Sequence, residues 1–134
     1  MNTTLNVLVI FYSTSGATEK LALAAAVGAV QARANIRLRW LREAADDGTI
    51  EGVAGWKENR ERMAKEYIAP RTVDAEWADV IIIGAGSAPP ELKGYLASLD
   101  GRTEPVFIDV ATLEDARLQG RRVTEAARAR KGAG

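Results

Sequence analysis

The sequence predicts an α/β protein with a doubly wound parallel sheet of about four strands in the order 2-1-3-4 and helices on both faces. Two runs, Val7–Tyr12 and Val80–Ile83, are apolar or aromatic at every position, as strands buried on both faces require. A third run, Ile36–Leu41, alternates apolar side chains with Arg37 and Arg39, which indicates an edge strand. Because strands alternate with helical segments, we expect right-handed crossovers and a parallel sheet with the two apolar strands at its centre.

Helical segments and one further strand are predicted in the rest of the chain from apolar periodicity, capping signals and Pro positions. They are an Ala-rich helix from about Thr18 to Arg33, a charged helix over Trp56–Tyr67, a short helix from Pro89 to about Leu99, a strand at Val106–Val110, and a final helix that begins at the capping box Thr112–Asp115. Residues 43–55 are predicted to be a loop, and only residues 131–134 are expected to fray.

Composition limits the classes of function. The 134 residues fit one domain, 1–134, and include neither Cys nor His, which excludes disulfides, thiolate nucleophiles, imidazole bases and most zinc sites. The 18 basic and 18 acidic residues cancel, which disfavours nucleic acid as a partner. No stretch is apolar enough to span a membrane, and Met1–Thr4 carry no basic side chain, so we expect no membrane insertion and a cytoplasmic location. No catalytic residue and no metal ligand is predicted.

The segment after the first strand predicts a phosphate site. Its hydroxyls and backbone N–H groups stand at the start of a helix, where the helix dipole also favours an anion. It lacks the Lys of a Walker A loop and the Gly-x-Gly-x-x-Gly of a dinucleotide loop, which favours a single phosphate monoester. An ordinary strand-to-helix turn, in which Thr18 only caps the helix, is the alternative. The predicted phosphate ligands are Ser13, Thr14, Ser15, Gly16, Ala17 and Thr18.

This loop resembles the phosphate loop of flavodoxin-like proteins, which bind FMN. Three further segments resemble the WrbA-type NAD(P)H:quinone oxidoreductases of that fold, namely Gly55–Met63, Glu91–Leu99 and Ala116–Val123. The resemblance implies a flavodoxin-like domain, FMN as cofactor, NAD(P)H and a quinone as reaction partners, and a homo-oligomer. It also implies that Ala85, Gly86 and Ser87 contact the edge of the flavin ring.

The chain departs from that family in two places. Members usually carry Pro-Thr-Arg-Phe-Gly-Asn after the third strand, whereas this chain has Ala85–Pro90, without the Arg, the aromatic residue or the Asn. Only Thr103–Leu113 separates the last two helices, so a further flavin loop and much of the nicotinamide and quinone pocket are absent. We therefore expect FMN binding to be weakened or lost. Trp56, Tyr67 and Trp77 of a neighbouring subunit could replace the ring contacts, although surface or core roles are favoured for them.

Three hypotheses remain after this comparison. The first is an FMN-binding protein of the WrbA type with two-electron NAD(P)H:quinone chemistry. The second is a redox-inactive shortened paralogue that serves as an oligomer partner or binds another phosphorylated ligand. The third, a small electron-carrier flavodoxin, is disfavoured because such carriers are usually acidic and this chain is neutral.

A homo-oligomer is also predicted from the residues themselves. The last helix carries a stripe of small side chains that needs a surface to pack on. Three tryptophans, Trp40, Trp56 and Trp77, are more aromatic surface than a short domain easily hides. The alternative is that the stripe packs inside its own chain. The stripe consists of Ala116, Gly120, Val123 and Ala127.

Overall fold

The computed structural model describes residues 5–12, 17–41, 56–84 and 105–133. Each strand and helix in these ranges is named here by its order along the chain. The strands are β1 (Asn6–Phe11), β2 (Asn35–Trp40), β3 (Val80–Gly84) and β4 (Pro105–Phe107). The helices are α1 (Ala17–Gln31), α2 (Trp56–Glu66), α3 (Thr72–Trp77) and α4 (Leu113–Ala133).

The four strands form one parallel sheet in the order β2-β1-β3-β4. This confirms the predicted order, with the two apolar strands at the centre and the alternating strand at an edge. In the register, Phe11 at the end of β1 stands between Trp40 on β2 and Gly84 on β3. The carboxyl ends of the three strands therefore lie level with one another.

The fourth strand is shorter than the predicted 106–110. Its ladder ends at Phe107, opposite Ile83, although the N–H of Ile108 still donates to the carbonyl of Ile83 over 2.8 Å. The ladder thus ends one residue before the end of β3, at Gly84.

One face of the sheet is covered by α1 and α4, which cross at very short range. A Cβ on Gly28 of α1 would lie 1.9 Å from the carbonyl oxygen of Arg117, and a Cβ on Gly120 of α4 would lie 2.0 Å from that of Ala25. Ala116 and Ala127 of the small-residue stripe are buried as well. The stripe therefore packs inside the chain, so it gives no support to a homo-oligomer.

The opposite face carries α3, a helix that the sequence analysis did not predict. Its core there is formed by Leu8 and Ile10 of β1 with Ile81 and Ile83 of β3, joined by Ala78. Helices thus cover both faces, as predicted. None of the helices in the described ranges is long and apolar enough to cross a membrane.

Helix α4 continues beyond the predicted fraying point at residue 131 and ends at Ala133. The Nζ of Lys131 pairs with Oδ2 of Asp79 over 3.1 Å. Asp79 precedes β3 and also accepts a bond from the backbone N–H of Asn6 over 2.8 Å. The last turn of the helix is therefore tied to the amino ends of the two central strands, which explains why it stays helical.

Candidate functional site

The carboxyl edge of the sheet is the place where open α/β sheets bind ligands. The backbone N–H of Tyr12, the residue after β1, donates to the carbonyl of Gly84 at the end of β3 over 2.9 Å. The predicted phosphate loop leaves from Tyr12 and the predicted ring loop leaves from Gly84. The two segments therefore start from adjacent, hydrogen-bonded points at the switch between β1 and β3.

Most of the predicted ligands lie outside the described residues and stay predictions. These are Ser13, Thr14, Ser15, Gly16, Ala85, Gly86 and Ser87. Ala17 and Thr18 are described, and they form the first two positions of α1. The helix thus begins at Ala17, within the last two residues of the predicted phosphate loop and one residue before the predicted start at about Thr18.

Thr18 lies against the end of β3. A Cβ built on Gly84 would stand 3.2 Å from Cγ2 of Thr18 and 3.4 Å from Cδ1 of Ile108, so a side chain at position 84 would crowd the threonine. The absence of a side chain at Gly84 lets the first turn of α1 approach the sheet edge. The first N–H groups of a helix have no partner within the helix, and here they start beside the carboxyl ends of two strands.

The residue after Thr18 is a buried glutamate held by α2 and the residue that follows it. Only 5% of Glu19 is exposed. Arg62 binds it through both terminal nitrogens, Nη2 to Oε1 over 2.5 Å and Nη1 to Oε2 over 2.9 Å. The hydroxyl of Tyr67 donates to Oε2 over 2.8 Å. The segment between β2 and β3 is therefore bonded to the first turn of α1.

These contacts fix the charge state of the cluster. The hydrogen bond from Arg62 lowers the pKa of the Glu19 carboxyl, burial acts in the opposite direction, and the bond from Tyr67 lowers it further. Burial and the adjacent Glu19 carboxylate raise the pKa of Tyr67 to about 12. At neutral pH the cluster holds a glutamate anion, an arginine cation and a protonated phenol.

Two of the three aromatic residues considered as substitutes for the ring contacts have structural roles in their own chain. The ring of Tyr67 packs edge-on against Phe11, with centroids 4.9 Å apart. Trp77 lies at the amino end of the sheet, where its carbonyl accepts a bond from Nδ2 of Asn6, and the guanidinium of Arg37 stacks 4.3 Å over its ring. The side chain of Trp56 lies outside the described residues.

Comparison with known proteins adds a sequence relative. The chain is 30% identical, over 105 residues and 75% of its length, to an "NAD(P)H dehydrogenase (quinone)" of Deinococcus radiodurans. The parallel sheet of this chain, in the order 2-1-3-4 with crossovers, is the second observation. The chain has a flavodoxin-like fold and is similar in sequence to a quinone oxidoreductase. It spans 52% of the length of that relative.

Other comparisons with this flavodoxin-like chain carry less weight. No protein-family model matches it. A diflavin flavoprotein A3 from Nostoc sp. aligns over 99% of this chain and 100% of its own, at 14% identity and a TM-score of 0.48. A short-chain flavodoxin associated with a non-canonical PDU bacterial microcompartment aligns over 90% of this chain and 76% of its own, at 12% identity and a TM-score of 0.41. Both scores are below 0.5, so the fold assignment rests on the sheet order and the sequence relative.

Sequence reasoning did not identify the Glu19–Arg62–Tyr67 cluster of this flavodoxin-like chain. Glu19 did carry a signal, because it is an acidic residue that directly follows a predicted anion-binding loop. Acidic residues in the first turn of a helix are otherwise common at the surface. Arg62 carried none, because it is one of several charges on a polar helix and stands 43 residues away. Only the folded chain brings the two together.

Proposed function

We propose that the chain binds FMN and carries out two-electron NAD(P)H:quinone chemistry of the WrbA type. One observation supports this above the others: the bond from Tyr12 to Gly84, with Thr18 packed on Gly84, sets the ends of both predicted flavin loops side by side. The sequence relative, an NAD(P)H dehydrogenase (quinone), supports the same chemistry.

Each part of the predicted site has a role in this proposal. Ser13, Thr14, Ser15, Gly16, Ala17 and Thr18 hold the phosphate with hydroxyl and backbone donors at the start of α1. Ala85, Gly86 and Ser87 contact the ring edge. When bound, FMN would supply the redox chemistry, namely hydride transfer from NAD(P)H and two-electron reduction of a quinone. The protein supplies position and electrostatics.

The ring contacts are the weak part of the proposed site. Residues 85–90 lack the Arg and the aromatic residue of the family, and an aromatic pair alone contributes about 0.5–1.5 kcal/mol beyond area burial. Since each 1.4 kcal/mol is about tenfold in affinity, the proposed FMN site is weaker than that of a complete family member. The homo-oligomer and the cytoplasmic location stay predictions.

The test is a titration of flavin-free protein with FMN and with riboflavin, which lacks the phosphate. We expect FMN to bind at least about tenfold more tightly, since one charge-assisted hydrogen bond contributes about 1.5–3 kcal/mol. Equal affinity for the two ligands, or no binding at millimolar FMN, rejects the assignment. A protein that prefers another phosphorylated ligand instead supports the redox-inactive paralogue.

Two variants locate the phosphate. Thr18→Val keeps the methyl group that packs on Gly84 and removes only the hydroxyl, so FMN affinity falls by about tenfold while riboflavin affinity and thermal stability stay near wild type. Thr18→Ser is the matched control and retains FMN binding. Gly16→Val crowds the predicted loop and abolishes FMN binding with an unchanged far-UV circular dichroism spectrum. Undiminished FMN binding in both variants contradicts the proposed phosphate position.

Activity is tested separately from binding. Protein reconstituted with FMN is expected to oxidise NADPH or NADH in the presence of a benzoquinone, measured by the loss of absorbance at 340 nm. Flavin-free protein and free FMN at the same concentration are the controls. If the flavin-loaded protein oxidises NAD(P)H no faster than free FMN does, the enzymatic part of the proposal is rejected and the binding part stands.

A further inference from the structure

The first turn of α1 contains a negative charge at the end where the proposed function places a phosphate. Glu19 is the third residue of α1 and follows Thr18 directly. Its side chain is 6% exposed, so solvent screens it poorly. A carboxylate at this position competes with a phosphate for the positive end of the helix dipole, and it also repels a phosphate dianion.

Arg62 compensates that charge. Its guanidinium makes the two-pronged contact with Glu19, and its Nη1 also donates to Oε2 of Glu66 over 2.9 Å. Glu66 is 51% exposed, so its charge is largely screened. Lys20, the next residue of α1, is exposed. Among the described residues beside the start of α1, the poorly screened charge is therefore Glu19, and the cation in direct contact with it is Arg62, whose side chain is 40% exposed.

We propose that Arg62 is a positioning residue for phosphate binding: by pairing with Glu19 it cancels the one buried negative charge in the first turn of α1, and so leaves that helix end able to accept a dianion. The proposal rests on the proposed function, since it takes the start of α1 to be the phosphate end of the site. It gives the charged helix α2, which no predicted ligand contact explains, a role at that site. Tyr67 holds the second carboxylate oxygen and keeps Glu19 facing Arg62.

A charge role and a structural role predict opposite signs for one variant. Glu19→Gln removes the buried anion and leaves Arg62 paired only with the more exposed Glu66, so the charge beside the site shifts by one unit towards positive and phosphate binding becomes tighter than wild type, by roughly three- to tenfold at low salt. If the pair has only a structural role, changing either partner loosens the first turn of α1, and phosphate binding then weakens. Glutamine keeps an oxygen that accepts from Arg62, which favours a folded variant.

The experiment is a charge cycle with Arg62→Gln, Glu19→Gln, the double variant and Arg62→Lys. Dissociation constants are measured at low and high salt for FMN, riboflavin and inorganic phosphate. We expect affinity for FMN and phosphate to fall in the order Glu19→Gln, then wild type and the double variant together, then Arg62→Gln. Arg62→Lys keeps the charge and stays near wild type. Riboflavin affinity stays constant, and high salt compresses the differences.

Failure of this inference is distinct from failure of the proposed function. If wild type prefers FMN to riboflavin but Glu19→Gln weakens phosphate binding, Arg62 has only a structural role and the FMN proposal stands. If FMN and riboflavin bind equally while inorganic phosphate follows the expected order, the charge role stands and the FMN proposal falls. If no variant changes any affinity, the inference is overturned. Should Arg62→Gln fail to fold, the comparison of Glu19→Gln with wild type alone decides the sign.

Discussion

The crossing of α1 and α4 allows a prediction in which two well-known effects have opposite signs. Gly120 stands in the middle of α4, a helix of 21 residues. Replacing a helix-interior glycine by alanine normally stabilises a protein by about 1 kcal/mol, because alanine has the higher helix propensity. At this position the new methyl group would stand 2.0 Å from the carbonyl oxygen of Ala25.

The size of the clash determines the expected sign. The obstacle is the backbone of α1, so it cannot turn aside as a flexible side chain would, and the 2.0 Å approach is more than about 1 Å short of ordinary carbon–oxygen contact. Overpacking of a tight core costs about 1–3 kcal/mol, and more where backbone must move. We therefore expect Gly120→Ala to destabilise the protein by about 2 kcal/mol net of the propensity gain, and to lower Tm by roughly 6–10 °C for a domain of this size.

The measurement is urea and thermal unfolding followed by far-UV circular dichroism. Ala126→Gly is the matched control, since Ala126 is exposed on the same helix, and it gives the local propensity term, a loss of about 1 kcal/mol. Gly28→Ala, whose methyl would meet the carbonyl of Arg117 at 1.9 Å, tests the same crossing from α1. The double variant costs less than the two single changes added, because one separation of the helices relieves both clashes. A Gly120→Ala protein as stable as wild type refutes the close crossing.

Three further outcomes follow from single residues. Arg33 closes α1 with a φ of 66°, a conformation that favours glycine, so Arg33→Gly is expected to raise the unfolding free energy by about 0.5–1 kcal/mol in urea titrations. The pKa of Tyr67 rises to about 12 in the folded chain from the usual 10, so the contribution of its hydroxyl to the unfolding free energy is fully present below pH 10 and is lost as pH rises towards 12. Tyr67→Phe removes that alkaline loss and the matching step in absorbance at 295 nm. Asp74 is fully buried against Arg37 and Arg39. Burial acts to raise its pKa, but the bonds from Arg39, the backbone N–H of Arg71 and Arg37 together lower it. Asp74→Asn is therefore expected to destabilise by about 3 kcal/mol near neutral pH. The wild type loses this stabilisation as pH falls from 3.8, where the carboxyl of the unfolded chain titrates, through the lower pKa of the folded chain, and the variant lacks that acid-dependent loss.

The sheet could be predicted from the sequence because its signals are local. Unbroken apolar runs mark β1 and β3, and the alternation around Arg37 marks β2, so the order of strands followed from patterning alone. Helix α3 was missed because six residues, Thr72–Trp77, are too few to show a helical period. The helix begins where the carboxylate of Asp74 accepts a bond from the backbone N–H of Arg71 over 2.9 Å. In the sequence, this signal consists of a single side chain.

The contacts of the candidate site could not be predicted because they join distant parts of the chain. Glu19 and Arg62 meet only when α2 folds back onto the start of α1, and nothing in either local sequence specifies the other as its partner. The stripe on α4 shows the same limit in another form. Its small side chains indicated a close contact, but only the crossing of Gly120 over Ala25 shows that α1, and not a second copy of the chain, provides the surface.

The segment between β2 and β3 explains why a polar helix is retained beside the ligand edge. After α2 the chain passes along the outer side of β2, where the carbonyl of Ile68 accepts a bond from the N–H of Trp40 over 3.0 Å and covers part of an edge that would otherwise be open to pairing with other chains. It then forms α3 on the opposite face, where Asp74 binds Arg37 and Arg39. The same stretch therefore bonds to the first turn of α1, the end of β2 and the far face of the sheet. A change in α2 that releases Arg62 from Glu19 acts on the proposed phosphate end through charge, while the bridge at Ile68 and the ion pairs of Asp74 keep the segment in place. Arg62→Gln also leaves the buried Glu19 carboxylate without its cation and is expected to lower stability, whereas Arg62→Lys keeps a cation there, so the pair of variants separates the loss of charge from the loss of the side chain.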